Sequence, residues 1–159
     1  MYFVQHRELF GVSHNALWAA ISEGGGLENY HPFCRTNTPV DWPGTGSVDQ
    51  LTYLNGRTFQ REILHWRDGV GYDLVIRYKN LETEVSWEID RSERGSFLMI
   101  KLVPRFLHRN PILKFFVFNL YIRPQLKRYL RHIFAGLHFF LENRQKVSPN
   151  QFGLHPWFS

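Results

Sequence analysis

Residues 71–90 read GYDLVIRYKNLETEVSWEID, and this stretch decides the fold. In its first half Tyr72, Leu74, Ile76 and Tyr78 fall on one face of an extended chain, against Asp73, Arg77 and Lys79 on the other. In its second half Val85, Trp87 and Ile89 alternate with Glu84, Ser86, Glu88 and Asp90. Successive side chains of a strand point to opposite faces, so a period of two with one charged face marks an antiparallel sheet covered on one side. Strands are expected over 71–78 and 83–90. Their dry face needs a cover.

The cover lies near the C-terminus. Leu126, Tyr129, Leu130, Ile133, Leu137, Phe140 and Leu141 recur at helical spacing, while Lys127, Arg128, Arg131 and His138 fall largely on the other side. Pro124 suits a first helical turn, where its missing N–H costs nothing. The spacing predicts a helix over 124–143, roughly 30 Å long at 1.5 Å per residue.

The rest of the chain supplies more strands. Residues 2–10 read as a strand. Ser13 is a good N-cap for a helix over 15–21 with Leu17, Trp18 and Ile21 inward. Gly24-Gly25-Gly26 ends it, and a short helix or turn is expected at 27–30. Strands are expected at 35–40, 47–54, 58–66 and 96–103, with Asn55-Gly56 and Asp68-Gly69 as hairpin turns. The fold class is therefore α+β: an antiparallel sheet of about six or seven strands, short helices after the first, and a long closing helix. The 159 residues suit one domain, read as 1–143 with a C-terminal tail at 144–159.

Composition bounds the function. Cys34 is the only cysteine, so an intrachain disulfide is excluded, and a reducing, cytoplasmic setting is expected. The N-terminus lacks the basic-then-apolar pattern of a signal peptide. The longest apolar stretch, Ile112 to Ile122, falls short of the roughly 20 residues of a membrane span. The net charge of +5 is unevenly placed: residues 1–93 carry 8 Lys/Arg and 13 Asp/Glu, whereas 94–141 carry 9 Lys/Arg and no acid. Such a block speaks to partners rather than to fold.

Few residues carry chemistry. His31 and Cys34 lack the two further ligands that a zinc site wants, so no metal and no cofactor are expected. Nothing in the sequence lowers the pKa of Cys34, so a buried, inert thiol is the default. Arg61 and His65 share a strand parity with Phe59 and Ile63. If that face is dry, both point inward, and a buried Arg61 needs an anionic or carbonyl partner. If Leu64 and Trp66 face inward instead, Arg61 lies in water. Lys101 reads as a solvated residue or as a second polar group of the interior. Gly136 in mid-helix either lets the helix approach the sheet closely or leaves room for a ligand.

Asn110-Pro111 is an N-cap and N1 pair, so 110–123 reads as a helix, although its β-branched and aromatic residues also allow a strand. It is apolar nearly all round and is flanked by Arg105, Arg109, Lys114, Arg123, Lys127, Arg128 and Arg131. A helix of that kind packs on its own core, forms a homodimer interface, lids a pocket or lies on a membrane. No zinc finger, helix-turn-helix or RNA-binding aromatic motif is present, and no nucleic-acid partner is expected.

Several stretches resemble the START-like (SRPBCC, helix-grip) superfamily, in its polyketide cyclase/dehydrase-like or lipid-transport branch. Ser13-His14-Asn15-Ala16-Leu17-Trp18 is similar to the opening of its first helix, and Gly44-Thr45-Gly46 to its Gly-x-Gly before the third strand. Glu62-Ile63-Leu64-His65-Trp66 resembles its Glu-x-Ile/Leu-x-x-Trp strand, and residues 136–142 the end of its closing helix. The resemblance covers residues 1–143 and implies a helix-grip fold, in which a curved sheet wraps the C-terminal helix around a deep apolar cavity. It carries over no catalytic residue. The expected cavity wall is Tyr53, Phe59, Tyr72, Leu74, Ile76, Trp87 and Met99 from the sheet, with Tyr129, Ile133 and Leu137 from the helix. The leading expectation is a carrier of a hydrophobic small molecule that is lipid-, polyketide- or quinone-like. The alternatives are a cyclase/dehydratase-type enzyme using Arg61, His65 and a tyrosine (Tyr53 or Tyr72), or a peripheral membrane protein using residues 105–131.

Overall fold

The expected hairpins form where the turn chemistry places them. Gly56 and Gly69 both take positive φ, at 85° and 70°, a region open to glycine at little cost. The computed structural model describes residues 1–105 and 109–159. Its elements run β1 (Val4–Phe10), α1 (His14–Ser22), α2 (Leu27–Tyr30), β2 (Cys34–Asp41), β3 (Val48–Tyr53), β4 (Thr58–Arg67), β5 (Gly71–Tyr78), β6 (Leu81–Ser92), β7 (Gly95–Arg105), α3 (Pro111–Val117), a π-helical turn (Phe118–Ile122) and α4 (Arg123–Asn143). β6 and β7 run longer than alternation alone suggested, because the tight β5–β6 turn places Lys79 at φ 52° and pairing resumes at Leu81.

All seven strands join one antiparallel sheet in the order β1-β7-β6-β5-β4-β3-β2. Its inner face is closed by α4, which buries Leu126, Tyr129, Leu130, Ile133, Phe134, Leu137 and Leu141. Ser13 caps α1 by accepting from the Ala16 N–H at 3.1 Å, as its place in the sequence leads one to expect. Gly136 is a point of close approach. A Cβ there would lie 1.9 Å from the Tyr30 carbonyl oxygen, so glycine lets α4 seat against the end of α2.

Residues 111–122 are helical, so the strand alternative is overturned. Asn110 accepts from the Ile112 and Leu113 N–H groups at 2.9 and 3.3 Å, and this local cap outweighs the β propensity of the side chains. Of the segment 105–131, residues 106–108 lie outside the described residues. Residues 144–159, set apart as a tail in the sequence, fold back over the domain. Val147 N–H donates to the Asn29 carbonyl at 3.0 Å, and Asn150 N–H to that of Pro32 at 3.0 Å. Asn55 Nδ2 donates to the Trp157 carbonyl at 2.7 Å, and Arg128 to that of Leu154 at 2.6 Å. No helix among the described residues is long and apolar enough to cross a membrane.

Candidate ligand cavity

The inner face of the sheet holds a deeply buried charged pair. Asp49 and Arg61 sit opposite each other in the β3–β4 register, and their side chains are 1% and 5% exposed. Arg61 Nε donates to Asp49 Oδ1 at 2.7 Å, and its terminal nitrogen donates to Asp49 Oδ2. Asn37 Nδ2 adds a bond to Oδ2 at 3.0 Å. Burial works to lower the guanidinium pKa, but the hydrogen bonds and charge of Asp49 outweigh it, so the pKa is raised. The anionic partner that a buried Arg61 needs is thus the protein's own. Asp49 escaped the sequence reading, although Asp49, Leu51 and Tyr53 share one parity of their strand.

His65 does not join Arg61. A β-bulge between Ile63 and His65 inserts Leu64 as an extra residue, which shifts the alternation by one. Arg61 and Ile63 therefore point inward, and so does Trp66, which stacks on Tyr72 at 5.5 Å. The His65 side chain is 72% exposed, with Nδ1 3.6 Å from Asp73. The expected Arg61–His65 pair is not assembled. Met99 is a second correction. Ser96, Leu98, Ile100 and Leu102 are buried, so the odd-numbered residues of β7, Met99 among them, face the other side. Lys101 shares that outer face, its Nζ 4.7 Å from the Phe3 ring.

Leu74, Ile76, Trp87, Tyr129 and Ile133 of the expected wall do line one interior space, together with Arg61. The sequence reading missed His31 and Leu27, which α2 and the turn after it bring to the same wall. The space is small, about 20 Å³, which is room for about one water. The packed side chains along this wall leave little of the deep cavity that the resemblance implies. Tyr72 is committed elsewhere, its hydroxyl donating to the Ile21 carbonyl at 2.9 Å. Leu137 is fully buried in the α4–sheet core, and Tyr53 and Phe59 lie toward the mouth.

A buried hydrogen-bonded trio borders this space. His31 Nδ1 accepts from the Phe33 N–H at 3.2 Å, so the ring proton resides on Nε2, 2.9 Å from the Tyr129 hydroxyl. The Tyr129 hydroxyl is 2.8 Å from that of Tyr53. Burial, and then the Arg61 charge, push the His31 pKa down to about 3. Burial also raises both phenols, Tyr129 to about 12, so all three groups are neutral. The trio holds three hydrogens and two contacts join them. One phenolic O–H therefore has no acceptor among the described residues. Burial, and then the charge of Glu28, push the Cys34 thiol up to about 12.

The neutral His31 sets a pH dependence. Its folded pKa lies below the ordinary value near 6.5, so between about pH 6.5 and pH 3 only the unfolded chain takes up the proton. Its contribution to stability is complete above about pH 6.5 and falls with acid, by up to about 1.4 kcal/mol per pH unit. Urea unfolding at a series of pH values should show this slope reduced in His31→Gln.

Toward the mouth lies a larger space of about 320 Å³, lined by Phe59, Tyr78, Ile122, Leu126, Trp157 and Phe158 among others. Phe158 lines this larger space. Its ring stacks on Tyr53 at 4.3 Å and packs on Tyr129 at 4.7 Å.

No protein-family model and no curated protein matches the chain. Solved structures do. The chain is similar to the crystal structure of Ara h 8.0201, with a TM-score of 0.69, 16% identity, and 89% of this chain and 97% of that one covered. It is also similar to DynU16, described as a putative protein in the dynemicin biosynthetic locus (TM-score 0.72, 14% identity, 92% of this chain and 49% of that one). A third is SA2116 from Staphylococcus aureus, a protein of unknown function (TM-score 0.72, 14% identity, 89% and 94% covered). At these identities the likeness is one of architecture alone: the chain has the helix-grip fold.

Proposed function

We propose that this protein binds a largely apolar small molecule bearing a neutral hydrogen-bond acceptor, such as a carbonyl or ether oxygen. The observation that carries this reading is the packing at the mouth. A largely apolar space of about 320 Å³ is within the size range of small-molecule sites, and the Phe158 ring that lines it packs on the rings of Tyr53 and Tyr129, whose hydroxyls are paired. A ligand that displaces this ring fills the mouth with its apolar body and meets the spare phenolic O–H with its acceptor. The neutrality of the trio and the compensation of Arg61 by Asp49 favour an uncharged polar group over a carboxylate. The two similar proteins Ara h 8.0201 and DynU16 support the reading only through their shared fold.

The test uses a neutral naphthalene ketone as a fluorescent reporter, with native mass spectrometry of the purified protein to identify any molecule carried with it. Saturable one-to-one binding is expected. Phe158→Ala, which removes the ring, should tighten it by about tenfold, corresponding to roughly 1.4 kcal/mol. Phe158→Trp should weaken it. Equal reporter affinity in the wild type and both variants, or no saturable binding in any of them, would overturn the assignment.

A further inference from the structure

α3 presents an unburied apolar surface. Six of its seven residues are apolar, yet none is buried. Across α3 and the π-helical turn, Ile112, Leu113, Phe115, Phe116, Leu120 and Tyr121 are 46–75% exposed. This is not a frayed segment: Asn110 caps it, and Phe118, 3% exposed, fastens it against the Tyr2 ring at 4.8 Å. An exposed apolar face on a capped and anchored helix marks a contact surface. We propose that this face docks the protein on an anionic lipid bilayer.

The charge around the patch selects the occupant. Arg109, Lys114, Arg123 and Lys127 flank the exposed side chains, and no acidic residue occurs between 94 and 141. A second copy of the chain is disfavoured, since a two-fold dimer lays the same patch on itself and brings these cations together with no acid between them. A nucleic acid matches the charge but gives the six apolar side chains nothing to enter. An anionic bilayer satisfies both halves: the apolar residues enter the boundary of the acyl region, and the cations meet lipid phosphates. Tyr121 suits the interfacial layer, where amphipathic rings collect. The face also adjoins the mouth, for Ile122 lines the apolar space and Trp157 Nε1 donates to the Tyr121 hydroxyl at 3.3 Å.

Vesicle co-sedimentation tests this with the full chain. Phosphatidylcholine vesicles containing about 30 mol % phosphatidylglycerol should pellet the protein, and pure phosphatidylcholine or about 0.5 M salt should weaken binding more than tenfold. Phe116→Asp with Leu120→Asp should abolish pelleting while leaving circular dichroism and Tm unchanged, because both positions are exposed. Arg109→Glu with Lys127→Glu should weaken it in the same assay. Three results overturn the proposal: no pelleting on the anionic vesicles, pelleting undiminished in the double aspartate variant, or a lipid-free dimer that this variant converts to monomer.

Discussion

Asp49→Ala will cost the fold about 3–5 kcal/mol. The size follows from what stays behind. Arg61 is 4% exposed, and its guanidinium cannot shed its charge at any ordinary pH. With Asp49 gone, the cation keeps its desolvation penalty and loses the carboxylate that offset it. Asn37 Nδ2 loses an acceptor in the same step. The pair as a whole is worth far less than either half, since a buried ion pair replaced by packed apolar groups is often close to neutral. Asp49→Ala combined with Arg61→Met should therefore recover most of the loss. Urea unfolding of the wild type, the two single variants and the double variant gives the coupling energy directly. A cost below about 1 kcal/mol for Asp49→Ala would mean that water reaches the pair and that it is not the sealed unit described above.

Gly136→Ala will lower stability by about 2–3 kcal/mol, against the usual sign for such a change. In an exposed helix interior, Gly→Ala is worth roughly 1 kcal/mol in favour of alanine. Here the new methyl group would sit 1.9 Å from the Tyr30 carbonyl oxygen and 3.2 Å from Pro32 Cδ. Neither neighbour is the free end of a flexible side chain, so α2 and α4 must separate. The movement reaches the trio, since His31 follows Tyr30 and its Nε2 is held by Tyr129. The variant should accordingly lose reporter binding as well as Tm. Gly11→Ala is the control, for a Cβ there meets nothing within 4 Å, and its thermal midpoint should stay close to the wild-type value.

Much of the architecture was legible before any coordinates. Alternation in 71–90 placed two strands, the apolar stripe of 124–143 placed the helix that covers them, and Ser13 and Asn110 each announced a helix start that forms. These signals are local. Whether a side chain is inward or outward is written in its own chemistry and that of neighbours two to four residues away. The same kind of signal misled at His65 and Met99. For His65 a single inserted residue, Leu64, reversed the parity that had been extended from Phe59 and Ile63. For Met99 an apolar side chain was read as inward although Leu98 and Ile100 on either side fix the opposite phase. Asp49 shows the converse. Its parity was readable, but its meaning depends on Arg61 standing directly across the β3–β4 pair.

By itself, then, the sequence determined the α+β order of elements, the wet and dry faces of β5 and β6, and the acid-free apolar segment that precedes α4. Only the tertiary structure decided that Arg61 is answered from within, that the space beside it measures about 20 Å³, and that Phe158 packs on the rings of Tyr53 and Tyr129. The physical reason is separation along the chain. Tyr53 and Tyr129 meet across 76 residues, and Asn55 holds Trp157 across 102. Such meetings are set by sheet register and by the path of the closing chain, which no single residue's polarity encodes.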